Sequence, residues 1–295
     1  MMAGSTQGVV AERTTSSSAP FRGPEIVIRP AAPSLGVDVR ELWRYRHLLL
    51  SLVERNVRMQ FDAMHLGFLW ACARPVLYVI VFSWIRHLSD ARIGVDIPYP
   101  LYVYSGMIVW WYILDATRGA SNALRADASL MTKIYYPRIF APVVPVIAGL
   151  TNLGISLVPM AIMLVWYGIH PGWYLLMLPL VLLQCMALVL GLGLVFASLS
   201  IEYRDWDRLL YFSLYLGMFV SPVIYAPSMI PEEWRAVYTL VNPMAGTLLA
   251  FRSAFFDPFP FPWPAWLLSS GWSAFVLALG IWMFRRTEIQ FADKL

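Results

Sequence analysis

Charged side chains are scarce in this 295-residue chain: they make up 14 % of it, against 59 % apolar residues and a mean hydropathy of +0.61. A soluble domain carries about 25 % charged residues, so a soluble enzyme is excluded and an integral membrane protein is implied. Lysine is scarcer still. The two lysines, Lys133 and Lys294, follow Thr132 and Asp293, so the chain has no Gly-Lys-Ser/Thr phosphate loop. The two cysteines, Cys72 and Cys185, lie in apolar runs where a disulfide is not expected. The four histidines are scattered without ligand spacing, so no metal is expected. No apolar stretch occupies the first 35 residues, so a cleaved signal peptide is not expected there. Ser16-Ser17-Ser18 with nearby Pro and Gly reads as a disordered tail.

The gaps between charges predict the spans. Residues 63–85 are interrupted only by His65 and Arg74, and 18 uncharged residues separate Asp96 from Asp115. Residues 139–201 carry no formal charge and break at Gly168-Ile169-His170-Pro171-Gly172, which gives two spans. Residues 209–231 and 258–284 complete a set of six, each near the ~20 residues a crossing helix needs. The gap 236–251 is only 16 residues and is cut by Asn242-Pro243, so it reads as re-entrant or interfacial. With the N-terminus inside, the inner segments hold 17 Lys and Arg and the outer segments four. That bias predicts both termini in the cytoplasm.

What the spans lack also excludes functions. Ion-coupled transporters keep carboxylates or histidines at mid-membrane depth; here Asp115 falls at a span end and no other carboxylate falls inside one. A membrane-bound transferase or phosphatase needs an acidic pair or a histidine cluster. Glu202, Asp205 and Asp207 do cluster, but flanking Arg204 and Arg208 make a solvated, charge-paired turn the plain reading. No catalytic residue, resident cofactor or nucleic-acid partner is therefore expected. Energy for uphill transport would have to come from another subunit.

Two kinds of inner segment suit such a contact. In Glu41–Phe61, Leu42, Tyr45, Leu49, Leu52, Val53, Val57 and Phe61 share one face, while Glu41, Arg44, Ser51, Glu54, Arg55 and Arg58 share the other. This predicts an amphipathic helix in the cytoplasmic interface, either a lipid anchor or a docking helix. Segments 121–138 and 200–208 are short and charged, and each joins two spans; ordinary loops or force-transmitting ends of helices both fit.

Several phrases recur in the order found in one family. They are ELWRYRHLL, LGFLWACARPVL (Leu66–Leu77), IPYPLYVYSGMIVWW (Ile97–Trp111), SLMTKIYYPRIFAPV (Ser129–Val143) and IEYRDWDRLL (Ile201–Leu210). SPVIYAPSMIPEEWR (Ser221–Arg235), NPMAG with a following FR, and FRRTEIQFAD (Phe284–Asp293) complete the series. Over residues 25–295 the chain resembles membrane subunits of type-2 ATP-binding-cassette exporters, specifically permeases for lipid-linked O-antigen, capsule or teichoic-acid polysaccharides. Drug or small-lipid exporters of the same fold, and a non-transporting component of polysaccharide assembly, are the alternatives.

The resemblance implies an all-α, six-span subunit of the bacterial inner membrane. It acts as a homodimer around a central channel, with two copies of a separate ATPase that holds ATP and Mg²⁺. The implied divisions are a tail (1–37), an interface helix (38–62) and the transmembrane domain (63–295), with outer re-entrant helices over 227–258. Arg125, Asp127, Lys133, Tyr135 and Tyr136 fall in the main ATPase-coupling segment by position, and Glu202, Arg204 and Asp205 in a second. Aromatic rings stack on sugar C–H faces, which makes Tyr102, Tyr104, Trp110, Trp111, Tyr112, Tyr211, Tyr215 and Phe219 candidate channel residues. The interfacial aromatic belt competes for Trp110–Tyr112, and helix packing competes for Tyr211, Tyr215 and Phe219. Arg74 is a permanent cation inside a span. Snorkelling to the interface is one account of it; contact with a substrate phosphate, which a guanidinium grips with two donors, is the other.

Overall fold

The computed structural model describes residues 43–62, 67–89, 97–127, 136–201, 203, 205–256 and 259–294. Most of these residues are helical, the rest are turns and connections, and no strand occurs among them. In chain order the helices are α1 (Arg46–Asp62), α2 (Gly67–Ser89), α3 (Tyr99–Ala126), α4 (Phe140–Trp166), α5 (Leu178–Leu199), α6 (Asp205–Val220), α7 (Glu232–Val241), α8 (Pro243–Phe255) and α9 (Trp263–Lys294). By length and composition alone, α4, α5 with the 3-10 turn before it, and α9 up to Thr287 are apolar enough to cross a membrane. Helices α2 and α3 are long enough too, but they carry Arg74, Asp115 and Arg118.

Helix α3 is the centre of the bundle. It packs against α2, α4, α5, α6 and α8, and buries residues all round its circumference over Tyr99–Leu114. A helix that is apolar on every side is the expected occupant of such a position. The broadest contact joins α5 to α9. Gly191 and Gly280 make it close: a Cβ on Gly191 would stand 2.6 Å from the Leu277 nitrogen, and one on Gly280 would stand 2.6 Å from the Gly191 carbonyl. Small residues let helix backbones approach where lipid supplies no hydrophobic drive.

The expected breaks fall where turn chemistry puts them. Helix α4 stops at Trp166, and Gly168 takes a left-handed φ of 67°, which glycine adopts without steric cost. Asn242 separates α7 from α8: its side chain accepts from the Met244 amide at 3.1 Å and donates to Ser221 Oγ at 3.0 Å, while Pro243 opens α8. At about 1.5 Å per residue neither helix of this hairpin spans a bilayer. The two differ in burial. Helix α8 is packed into the bundle from Ala245 to Phe255, whereas α7 buries no residue.

Helix α1 lies against α4, with Asn152 Nδ2 donating to Gln60 Oε1 at 3.1 Å. Its polar face is exposed at Ser51, Glu54, Arg55 and Arg58, and its apolar face is half-buried at Leu49, Leu52, Val53, Val57 and Phe61; just before it Arg44 is exposed and Tyr45 half-buried. Leu50 and Met59 point outward as well.

Candidate functional site

Helices α2 and α6 both pack against α3, and a cluster of charged and aromatic side chains links the three. Arg74 of α2 donates through Nη1 to Asp115 Oδ2 of α3 at 3.3 Å, with 37 % and 44 % of the two side chains exposed. The Arg74 guanidinium also lies 5.1 Å from the Trp111 ring centroid. Arg118 is one helical turn beyond Asp115 on the same face, and its guanidinium lies 4.6 Å from the Tyr211 ring of α6. Cations over ring faces are held by the π quadrupole.

The rings themselves form a chain. Tyr78 stands 5.6 Å from Trp111, Trp111 meets Tyr215 edge-on at 6.2 Å, and Tyr215 meets Tyr211 at 4.5 Å with their hydroxyls 2.9 Å apart. The result is a partly exposed strip along α2, α3 and α6 (the groove) with two cations, one carboxylate and four aromatic rings. It can take an anionic group at the cations and a sugar ring on the aromatics. Phe219 is exposed on α6 beyond this chain of rings.

The other aromatic candidates are not in the groove. Tyr102, Tyr104, Trp110 and Tyr112 are buried between helices. Tyr104 donates to the Ser156 carbonyl at 2.9 Å and Tyr112 to the Val146 carbonyl at 3.1 Å, both on α4. Position on a 3.6-residue helix decides this: Trp111 turns outward while its two neighbours turn in. Tyr102 serves a different cation. Its hydroxyl donates to the Tyr225 carbonyl at 3.0 Å and accepts from Arg252 Nη1 at 2.8 Å.

Sequence reasoning counted Arg252 only as one of four outer basic residues. It is 3 % exposed. Its guanidinium donates to Ser105 Oγ (3.2 Å) and to the carbonyls of Pro222 (2.5 Å), Val223 (2.7 Å) and Tyr102 (3.1 Å), and lies 3.6 Å from the Tyr102 ring centroid. No carboxylate among the described residues pairs with it. Gly106 makes room: a Cβ there would stand 2.5 Å from Arg252 Nη2 and 2.8 Å from the Val223 carbonyl. The signal available in the sequence was an arginine within an apolar run, the same signal that marks Arg74.

At the inner end, Asp207 of α6 draws three elements together. It accepts from Ser121 Oγ at 2.8 Å, from Ser200 Oγ at 2.9 Å, and from Arg125, which also donates to the Ser200 carbonyl at 2.7 Å. Arg125 is thus turned toward its own chain. Asp205 is exposed and pairs with Arg208 at 3.1 Å. Asp127 caps α3, and burial raises its carboxyl above the usual range while Arg55 of α1 opposes that shift. Tyr136 is pushed up to about 12, by burial first and then by Asp127, again against Arg55. Arg55, Asp127 and Tyr136 therefore share one electrostatic neighbourhood. Lys133, Tyr135, Glu202 and Arg204 lie outside the described residues, as do most of 121–138 beyond Asp127 and the tail 1–37.

A profile of the ABC-2 type transporter family matches residues 47–256. Among curated relatives, the O-antigen export system permease protein RfbA of Myxococcus xanthus is 29 % identical over 221 residues, 74 % of this chain and 84 % of that one. An RfbA protein of Klebsiella pneumoniae is 26 % identical over 253 residues, covering 84 % and 95 %. The polysialic acid transport protein KpsM of Escherichia coli is 24 % identical over 213 residues, covering 69 % and 79 %.

Proposed function

The chain belongs to the ABC-2 type transporter family, and from that premise we propose that it is the transmembrane subunit of an exporter of lipid-linked polysaccharide. Two copies enclose a channel in the inner membrane, driven by two copies of a separate ATPase that binds ATP and Mg²⁺. The six spans are α2, α3, α4, α5 with its preceding 3-10 turn, α6 and α9, with both termini cytoplasmic. Helix α1 lies at the inner interface, segments 121–138 and 200–208 seat the ATPase, and the α7–α8 hairpin narrows the outer exit.

One observation carries the reading: the groove of Arg74, Asp115 and Arg118 set among Tyr78, Trp111, Tyr211 and Tyr215. Ionisable side chains at membrane depth are costly and belong where they meet a partner or a pathway. The Arg74 and Asp115 side chains are partly exposed, and a second subunit packed against them would close a channel. A sugar polymer is too wet for lipid and suits such a lined path.

Deleting the gene tests the function. Lipid-linked glycan should accumulate on the cytoplasmic face and disappear from the surface; unchanged surface glycan would refute the assignment. Topology is tested by single cysteines in otherwise cysteine-free protein. Impermeant reagent added to sealed cells should label position 232 but not 127 or 293. Outside labelling at 127 would overturn the six-span arrangement and the coupling segment together.

A further inference from the structure

The groove carries more positive charge than its own carboxylate balances. Arg74 and Arg118 each present a fork of N–H donors, yet Asp115 takes one donor from Arg74, and the Arg118 guanidinium donates no hydrogen bond among the described residues, its carbonyl alone accepting one from Asn122. Both cations are instead steadied by rings, Trp111 at 5.1 Å and Tyr211 at 4.6 Å. The Arg74–Asp115 contact is weak by its own geometry: a single hydrogen bond at 3.3 Å between two side chains more than a third exposed. Exposed pairs of this geometry contribute little. The Arg252 site shows that this fold can saturate an arginine when nothing further is asked of it. In the groove the donors are left over.

A phosphate ester is the ligand that uses them. As a disubstituted diphosphate it carries two negative charges against the one of Asp115, with oxygens that two guanidinium forks can grip at once. The adjacent rings are the surface a sugar joined to that phosphate would meet. We propose that Arg74 and Arg118 together hold a glycosyl phosphate, and that Asp115 is the internal counter-ion that occupies Arg74 until the phosphate displaces it. This rests on the polysaccharide-export reading and assigns that substrate's phosphate-bearing end to three residues. Asp115 is a competitor of the ligand. Arg118 is a second grip, paired with the ring Tyr211 on the facing helix.

The sign of one substitution separates this from a purely structural ion pair. The full-length chain is placed in phosphatidylcholine nanodiscs and titrated with three probes: farnesyl diphosphoglucose, farnesyl diphosphate, and the phosphate-free farnesyl glucoside. Wild type should bind the diphosphoglucose tightest and the glucoside weakest. Arg118→Gln and Arg74→Gln should each weaken diphosphoglucose binding about ten-fold, the loss of one charge-assisted contact. Asp115→Asn should tighten it, and Trp111→Leu should weaken only the sugar-bearing probes. A structural pair predicts the opposite for Asp115→Asn. Binding unchanged or weaker in Asp115→Asn with an unaltered melting temperature overturns the proposal. Should Asp115→Asn fail to fold, Arg118→Gln decides alone, and wild-type affinity there refutes the second grip. Repeating the titration with phosphatidylglycerol present identifies the phosphate's source: if it abolishes the differences among probes, bulk lipid headgroups occupy the site and the glycosyl phosphate is wrong. None of these measurements needs the ATPase or export. Failed binding with intact export overturns this inference alone, whereas unchanged surface glycan after gene deletion overturns the export reading and leaves the binding data standing.

Discussion

Arg252 and Arg74 are the same residue in two opposite settings. Arg252 is sealed between α3, α8 and the turn after α6, and its charge is spread over three carbonyls, two hydroxyls and a ring. Arg74 has one carboxylate and one ring, and more than a third of its side chain is exposed. A buried cation survives only when its donors are matched, so the first setting is an element of the fold. The second leaves donors unmatched and exposed, which is how a binding group looks before its ligand arrives. Arg125 stands between them, half-buried against Asp207 and the Ser200 carbonyl.

If closure measures structural importance, stability losses should fall in that order. Replacing Arg252 with Met should cost about 3–5 kcal/mol, because three buried carbonyls lose their donors at about 1–3 kcal/mol each, and the protein should fail to fold or melt far earlier in detergent. Arg252→Lys should not rescue it, since an ammonium cannot reproduce the planar fork. An Arg252→Met protein that melts like wild type would break the comparison at its strong end. Asp207→Asn comes next, at about 1–3 kcal/mol for a charge-assisted network weakened on several arms. Its separate signature should be loss of coordination between the two inner segments: ATPase binding retained, export reduced. Tyr102→Phe removes one link of the Arg252 cage and should cost about 1 kcal/mol. Arg74→Gln closes the series. Its melting temperature should stay within the change expected for an exposed pair, under about 1 kcal/mol, while export falls sharply. A large stability loss there would make Arg74 a second Arg252.

Much of the helical framework was legible in the spacing of charges, because a charge in lipid is costly enough to leave long gaps where helices run. The breaks at Gly168 and Asn242-Pro243 were legible too, since each is local turn chemistry. Partnerships across the bundle were not. Arg74 meets a residue 41 positions away, Arg125 one 82 away and Arg252 one 150 away, and packing alone chooses such pairs. The uncharged run stops at Asp115, and the helix carries on past it to Ala126, with Asp115 paired to Arg74. Sequence adjacency joins Trp110, Trp111 and Tyr112 in one run, but helical rotation splits it into two buried rings and one packed against Tyr215.

The glycine under Arg252 has a consequence for descent. A side chain at position 106 and a guanidinium at position 252 would contend for the same few ångströms, with the Val223 carbonyl as a third claimant. Neither residue is free to drift alone. A lineage that loses the arginine releases its glycine, and a lineage that first gains bulk at 106 must already have emptied the cage. The two sites, on different helices, should therefore pass from ancestor to descendant as a single character.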